Sequence, residues 1–223
     1  AESLDYIATK LESADGDFGD AVQALLKEII TEHDRIIFNG DGYSDAWHKE
    51  AERRGLPNLR TTYDALPYSA GEDVIALFEK YGVMSKREVL SRLDVYLEQY
   101  VMAVSVEAKL TVEMAKTMIY PAAVRYQSEL ASSAANLKAI GITPDTEVLD
   151  KVVTCTKELK ESVNALEKLM AHGDGDLMAE AKHACFDVLP AMAAVRQHAD
   201  DLEGIVADDL WPLPTYQEML FIK

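Results

Sequence analysis

The stretch SKREVLSRLDVYLEQYVMAVSVEAKLTVEMAKTMIYPAAVRYQSELASSAANLKAI, residues 85–140, decides the fold class. It contains no glycine and a single proline, Pro121, and is rich in Ala, Leu, Glu, Lys and Met, the strong helix formers. Ser85 is placed to cap its start, and Gly141 follows its last residue. At 1.5 Å per residue the segment would reach about 80 Å if straight. Pro121 predicts a kink, because its ring removes one hydrogen bond and crowds a carbonyl one turn back.

Downstream, GITPDTE (141–147) reads as a short hairpin connection into a helix ending near His172. GDGD (173–176) turns the chain again, into a helix from about 177 to 209 with Pro190 inside it. Met178, Ala181, Cys185, Val188, Met192, Val195, Ala199, Leu202 and Val206 recur by threes and fours along this last helix. Val152, Cys155, Leu159, Val163, Leu166 and Met170 do nearly the same on the helix before. Short loops between long helices make antiparallel neighbours. The expected fold is all-α: long antiparallel helices in a hairpin-rich bundle, two of them packed against the long one, with short helices at the N-terminal end.

Upstream the texture changes. AESLDYIATKLE forms an amphipathic helix over about 2–13, with Leu4, Ile7, Ala8 and Leu11 on one face. After the turn ADGDFGD, a second helix runs to about residue 35 with Val22, Leu25, Leu26, Ile29 and Ile30 as its apolar stripe. Asn39, Gly40, Asp41 and Gly42 make a tight turn, Ser44 or Asp45 caps a third helix, and Gly55 stops it before Pro57. Residues 72–81 form a short helix closed by Gly82. A chain that opens mid-helix, without a leader or an initiating Met, is expected to be a piece of something longer.

The formal charge of −17 argues against nucleic acid and against an anionic membrane, since both need a basic surface. No window approaches the roughly 18 apolar residues of a membrane span. Cys155 and Cys185 lie inside helical patterns without CxxC spacing and read as buried, reduced thiols of a cytoplasmic protein. A chain of 223 residues buries enough surface to need no metal or disulfide.

Three constellations invite chemistry. In NGDGYSDAWHKE (39–50), Asn39, Asp41, Asp45 and Glu50 fall near ligand positions of a calcium loop. Ser44 stands where the sharp-turn glycine belongs and Tyr43 replaces an oxygen ligand, so a turn and helix cap accounts for them better. Glu180 and His183 form one ExxH, where a dimetal bundle needs two and further glutamates. Ala181 and Cys185 hold the inward register, which turns that pair towards water. His33, His48, His172, His183 and His198 are scattered among polar neighbours and are expected at the surface. No nucleophile motif is present. Read from its residues alone, the chain is an interaction or assembly module.

Several segments carry a resemblance. KEIITEHDRIIFNGDGYSDAWHKEAERRGLPNLRTTYDALP, with its IIFNG turn and DALP, is similar to the C-terminal part of class III glutamine synthetases, the large bacterial form of glutamate–ammonia ligase. AESLDYIATKLE before it, and ALFEKYGVMSKREVLSRLDVYLEQY, EMAKTMIYPAAVRYQSELA and the terminal DDLWPLPTYQEMLFIK after it, resemble that family in the same order. The family joins ammonia to glutamate with ATP through a γ-glutamyl phosphate, at a divalent metal. The resemblance therefore implies ATP and Mg²⁺ or Mn²⁺ for the parent enzyme, but no cofactor in this fragment. The family's metal, nucleotide and substrate residues lie upstream, so no catalytic, cofactor-binding or metal-ligating residue is carried over. Residues 1–60 are expected to be the last helices of the catalytic domain and 61–223 the class-specific helical domain.

The partners implied are the rest of the synthetase chain and neighbouring subunits of a homo-dodecamer, with no nucleic acid and no membrane. Without the catalytic sheet, residues 1–13 are expected to be disordered or to expose an apolar stripe. Two other readings stand beside this one. An effector-sensing module would place a pocket by Pro121 and Pro190, with glutamine, nucleotides and 2-oxoglutarate as ligands to screen. A standalone acidic bundle would bind a protein partner. Pro212 is expected to end the last helix, and Trp211, Leu213, Tyr216 and Leu220 to fold back as an extended clamp onto the bundle or a neighbouring subunit, with Pro212 and Pro214 lowering the entropy cost of that path.

Overall fold

The computed structural model describes residues 1–171, 175–214 and 216–221, with residues 216 and 217 as backbone only. Every regular element among them is helical, so the fold is all-α. Two compact units divide the chain, Ala1–Leu90 and Ser91–Lys223. This division follows packing and is a different quantity from a family-based boundary at 60/61.

The first unit holds α1 (Glu2–Glu12), α2 (Phe18–Glu32), α3 (Asp45–Arg53), the one-turn α4 (Thr62–Ala65), α5 (Glu72–Lys80) and the start of α6 (Lys86–Met114). Side-chain oxygens start α2, α3, α4 and α6, where backbone N–H groups lack partners, whereas α1 and α5 begin without one. Asp17 accepts from the Asp20 N–H, Ser44 from Trp47 and Thr61 from Asp64. At α6 the cap is reciprocal: the Ser85 N–H donates to Glu88 at 2.8 Å and the Glu88 N–H donates to the Ser85 hydroxyl. Gly82, at φ +64°, closes α5 and lets the Val83 N–H reach the Phe78 carbonyl, a path that an L side chain would strain.

The core of this unit is thin. Leu25, Ala51, Ile75 and Val89 are its buried apolar residues among those described. Of the stripe expected on α2, Leu25 alone is buried, Val22 and Ile29 are half-buried, and Leu26 and Ile30 face solvent. Residues 2–12 take helical form as α1, but none of them is buried and Leu4 is 70% exposed. Polar ties hold it: the Tyr6 hydroxyl donates to Glu28, and Lys10 and Lys80 lie 3.4 Å from Glu28 and Asp5.

The second unit continues α6 and adds α7 (Tyr120–Ala139), α8 (Glu147–Met170), α9 (Leu177–His183), α10 (Leu189–Glu203) and α11 (Tyr216–Leu220). The helix expected to run through residue 140 is rewound at Ala115–Ile119 into a π-turn, and Ala184–Val188 does the same before Pro190. The cause is the same at both places. A proline cannot donate to the carbonyl four residues back and its ring presses on it; widening the preceding turn relieves the crowding. The Tyr120 and Leu189 N–H groups accordingly donate five residues back, to the Ala115 and Ala184 carbonyls.

The hub of this unit is α8, not the long helix. Both α7 and α10 pack along it, and its Val152, Leu159 and Leu166 are fully enclosed. The Gly141 turn folds α8 back on α7, the Ile142 N–H reaching the Leu137 carbonyl at 3.0 Å. The register read on the last helix holds: Ala181, Cys185, Val188, Val195, Ala199, Leu202 and Val206 are buried, Met178 and Met192 half-buried. Its end differs. The helix stops at Glu203 rather than near 209, because Gly204, the weakest helix former after proline, stands at its C-cap. Val206 is therefore buried from the turn beyond.

Half of the expected clamp forms. Trp211 and Leu213 pack against the core, whereas Leu220 is 74% exposed on α11, a short helix where extended chain was expected. Beyond Pro214 no proline holds the chain extended, and YQEML takes a helical turn. The Tyr216 side chain and residues 173 and 174 of the GDGD turn lie outside the described residues, while Asp176 at its end caps α9 by accepting the Ala179 N–H.

Candidate functional site

The turn at 39–50 is built from backbone capping. Asp41 Oδ1 accepts the Tyr43 N–H at 2.9 Å, and the Ser44 hydroxyl donates to the Asp41 carbonyl at 2.7 Å while capping α3. Glu50 receives Arg53 and Arg54, both at 2.6 Å, and these guanidinium groups hold its carboxyl down to about 2. Arg54 also donates to the Arg35 and Ile37 carbonyls and lies over the Trp47 ring, which stacks on Phe38. The segment is thus a polar clasp around an aromatic pair. Among the described residues no group of three or more His, Cys, Asp or Glu converges to hold a metal ion. The donor set here does not fit the nucleotide and divalent metal implied for a whole synthetase.

The other candidate changes character. His183 does not point freely into water: its side chain is 27% exposed. One ring nitrogen, Nε2, lies 3.0 Å from the Leu169 carbonyl and the other, Nδ1, 2.8 Å from Asp187. Leu169 sits in the last turn of α8, where carbonyls lack helical partners and favour a cation. His183 therefore caps α8 from α9, and the Leu169 carbonyl, then Asp187, raises its pKa above the usual histidine value. A register drawn for one seam missed it, because α9 sits in a bundle where its flank also meets the end of α8. His198 is likewise half-buried rather than at the surface, with Nδ1 3.7 Å from Glu158. His33 is exposed and His48 half-buried; His172 lies outside the described residues.

Both cysteines are free; Cys185 is buried and Cys155 half-buried. Cys185 lies inside the second π-turn, where it meets the Tyr100 hydroxyl. Burial, with that contact, pushes Tyr100 up to about 12.

Each π-turn lines a cavity. Beside Ala115–Ile119 a space of about 370 Å³ is walled by Ala115, Tyr120, Leu159 and Val163. Beside Ala184–Val188 a larger one, about 690 Å³, opens between α6, the end of α8 and α9. Val104, Ala108, Ala184 and Val188 form its floor, with His183 on one wall and Lys109 and Glu180 among its polar residues. Neither Pro121 nor Pro190 lines these cavities; the π-turns that precede them do. Among the described residues no helix is long and apolar enough to cross a membrane.

A profile described as the glutamine synthetase C-terminal domain matches residues 21–138. The chain belongs to the glutamine synthetase C-terminal domain family. It is 33% identical over 220 residues to a glutamine synthetase of Butyrivibrio fibrisolvens, covering 95% of this chain and 31% of that protein. It is also 33% identical over 235 residues to a type-3 glutamine synthetase of Dictyostelium discoideum, covering 100% of this chain and 32% of that one. A glutamine synthetase of Bacteroides fragilis (strain YCH46) matches 92% of the chain at 33% identity. The chain spans about a third of the length of these relatives. The family match runs from α2 to near the end of α7.

Proposed function

We propose that this chain is the non-catalytic C-terminal helical portion of a cytoplasmic glutamine synthetase and serves its assembly. In this reading residues 1–60 close the catalytic domain and 61–223 form the class-specific helical domain. The ligation of ammonia to glutamate, with ATP and Mg²⁺ or Mn²⁺, belongs to residues upstream. Neighbouring subunits of a homo-oligomer, a dodecamer by resemblance, are the partners.

The observation that carries the assembly role is the second apolar face of α6. Leu97, Val104, Ala108 and Val112 are buried, while Val95, Met102, Val106 and Leu110 recur on the opposite side and are exposed. A helix that is apolar on two sides is built to be covered on both. In the whole synthetase, Val106→Glu with Leu110→Glu should shrink the assembly on sedimentation while leaving far-UV circular dichroism intact. An unchanged particle would overturn the role. The chain alone, given glutamate, ATP, Mg²⁺ and ammonia, should form no glutamine; clear turnover would refute the non-catalytic reading.

A further inference from the structure

We propose that the cavity beside the second π-turn binds a free α-amino acid with a large apolar side chain. The volume, about 690 Å³, lies within the roughly 300–1,000 Å³ of small-molecule sites. Its floor of Val104, Ala108, Ala184 and Val188 is buried and carries no polar side chain. Charge enters from two different helices, with Lys109 on α6 and Glu180 on α9. Among the described residues neither side chain forms an ion pair or hydrogen bond, with the other or elsewhere. Among the described residues the remaining ionisable wall residue, His183, has both ring nitrogens engaged by Leu169 and Asp187.

A ligand that satisfies this lining carries one anionic and one cationic group, and an apolar body that reaches the floor. An α-amino acid does so: its carboxylate meets Lys109, its ammonium meets Glu180, and its side chain displaces water from Ala108 and Val188. Competing chemistries fit worse. A nucleotide brings several negative charges to one lysine in a chain of net charge −17. A 2-oxo dicarboxylate has no ammonium for Glu180 and would leave a carboxylate on the apolar floor. Glutamine would leave an amide unsatisfied there. The floor also includes two residues of a π-turn, Ala184 and Val188, and such turns recur at binding sites.

The test is calorimetry on this chain with L-phenylalanine, 3-phenylpropionate, which lacks the amine, and phenethylamine, which lacks the carboxylate. Phenylalanine should bind, and each analogue should bind about tenfold more weakly, having lost one charge-assisted contact. Lys109→Ala should erase the difference between phenylalanine and phenethylamine. Glu180→Gln should erase the difference between phenylalanine and 3-phenylpropionate. No heat and no rise in Tm at millimolar phenylalanine would overturn the proposal, as would equal binding of the three compounds or binding untouched by both substitutions. Neither side chain is in the core, so both variants keep the fold. Because the measurement concerns ligand binding to the isolated chain, its failure leaves the assembly role standing.

Discussion

His183 shows how one side chain links two helices and a proton. Its pKa is raised in the folded chain, so the stability it contributes is fully present below the unfolded-state value and is lost as pH rises through the folded one. As pH rises above the ordinary histidine value of about 6.5, the native protein should lose Tm relative to His183→Gln, whose amide does not titrate. Parallel melting curves across that rise would refute the cap. Glu50 has the opposite sign: its depressed pKa gives stability that is present above the unfolded value and lost only in strong acid. Trp211 is half-buried against the core cluster with Leu210 and Leu213. Replacing it by alanine should cost about 2 kcal/mol in urea denaturation, below the range for a fully buried tryptophan. A loss near zero would mean that the chain after Glu203 is not part of the fold.

At the scale of the helix, the prolines separate what patterning announces from what it conceals. The three-and-four spacing from Met178 to Val206 located the inward face residue by residue, because burial of apolar side chains sets it. The Ser85 and Gly82 boundaries were equally plain, since capping is chemistry of one or two residues. Pro121 and Pro190 promised a disturbance but not its form, because a kink and a π-turn both relieve the same clash and only the surrounding packing chooses between them. Gly204 ended the last helix early where the apolar spacing ran on through Val206. The cavity by Ala184 was legible only as an expectation near a proline. Its walls come from α6, α8 and α9, residues far apart in sequence, which no local pattern brings together. The same holds for His183 and Leu169. Pro121→Ala would restore an N–H donor to the helix, and the π-turn before it should then lose its cause. Hydrogen exchange over residues 115–121 should then show narrower spacing of amide protection; an unchanged pattern would assign the turn to packing of Ile119 instead.

Across the whole molecule, enclosure is uneven. The first unit buries few apolar residues and leaves Leu26 and Ile30 of α2 in solvent, while the second encloses α8 on several sides. In the proposed setting the first unit gains its missing cover from the rest of the synthetase, and it should melt before the second when the chain is heated alone. A single cooperative transition by calorimetry would contradict that order. The π-turns have a consequence of another kind. Each holds one residue more than an α-helical path between the same ends, so it takes up an insertion without rotating the helix beyond it. Deleting a residue from an ordinary helix swings every later side chain by about 100°. Removing Thr117 together with Pro121→Ala should instead leave Ala122 and Ala123 facing inward, so the long helix carries a built-in tolerance to a change in its own length.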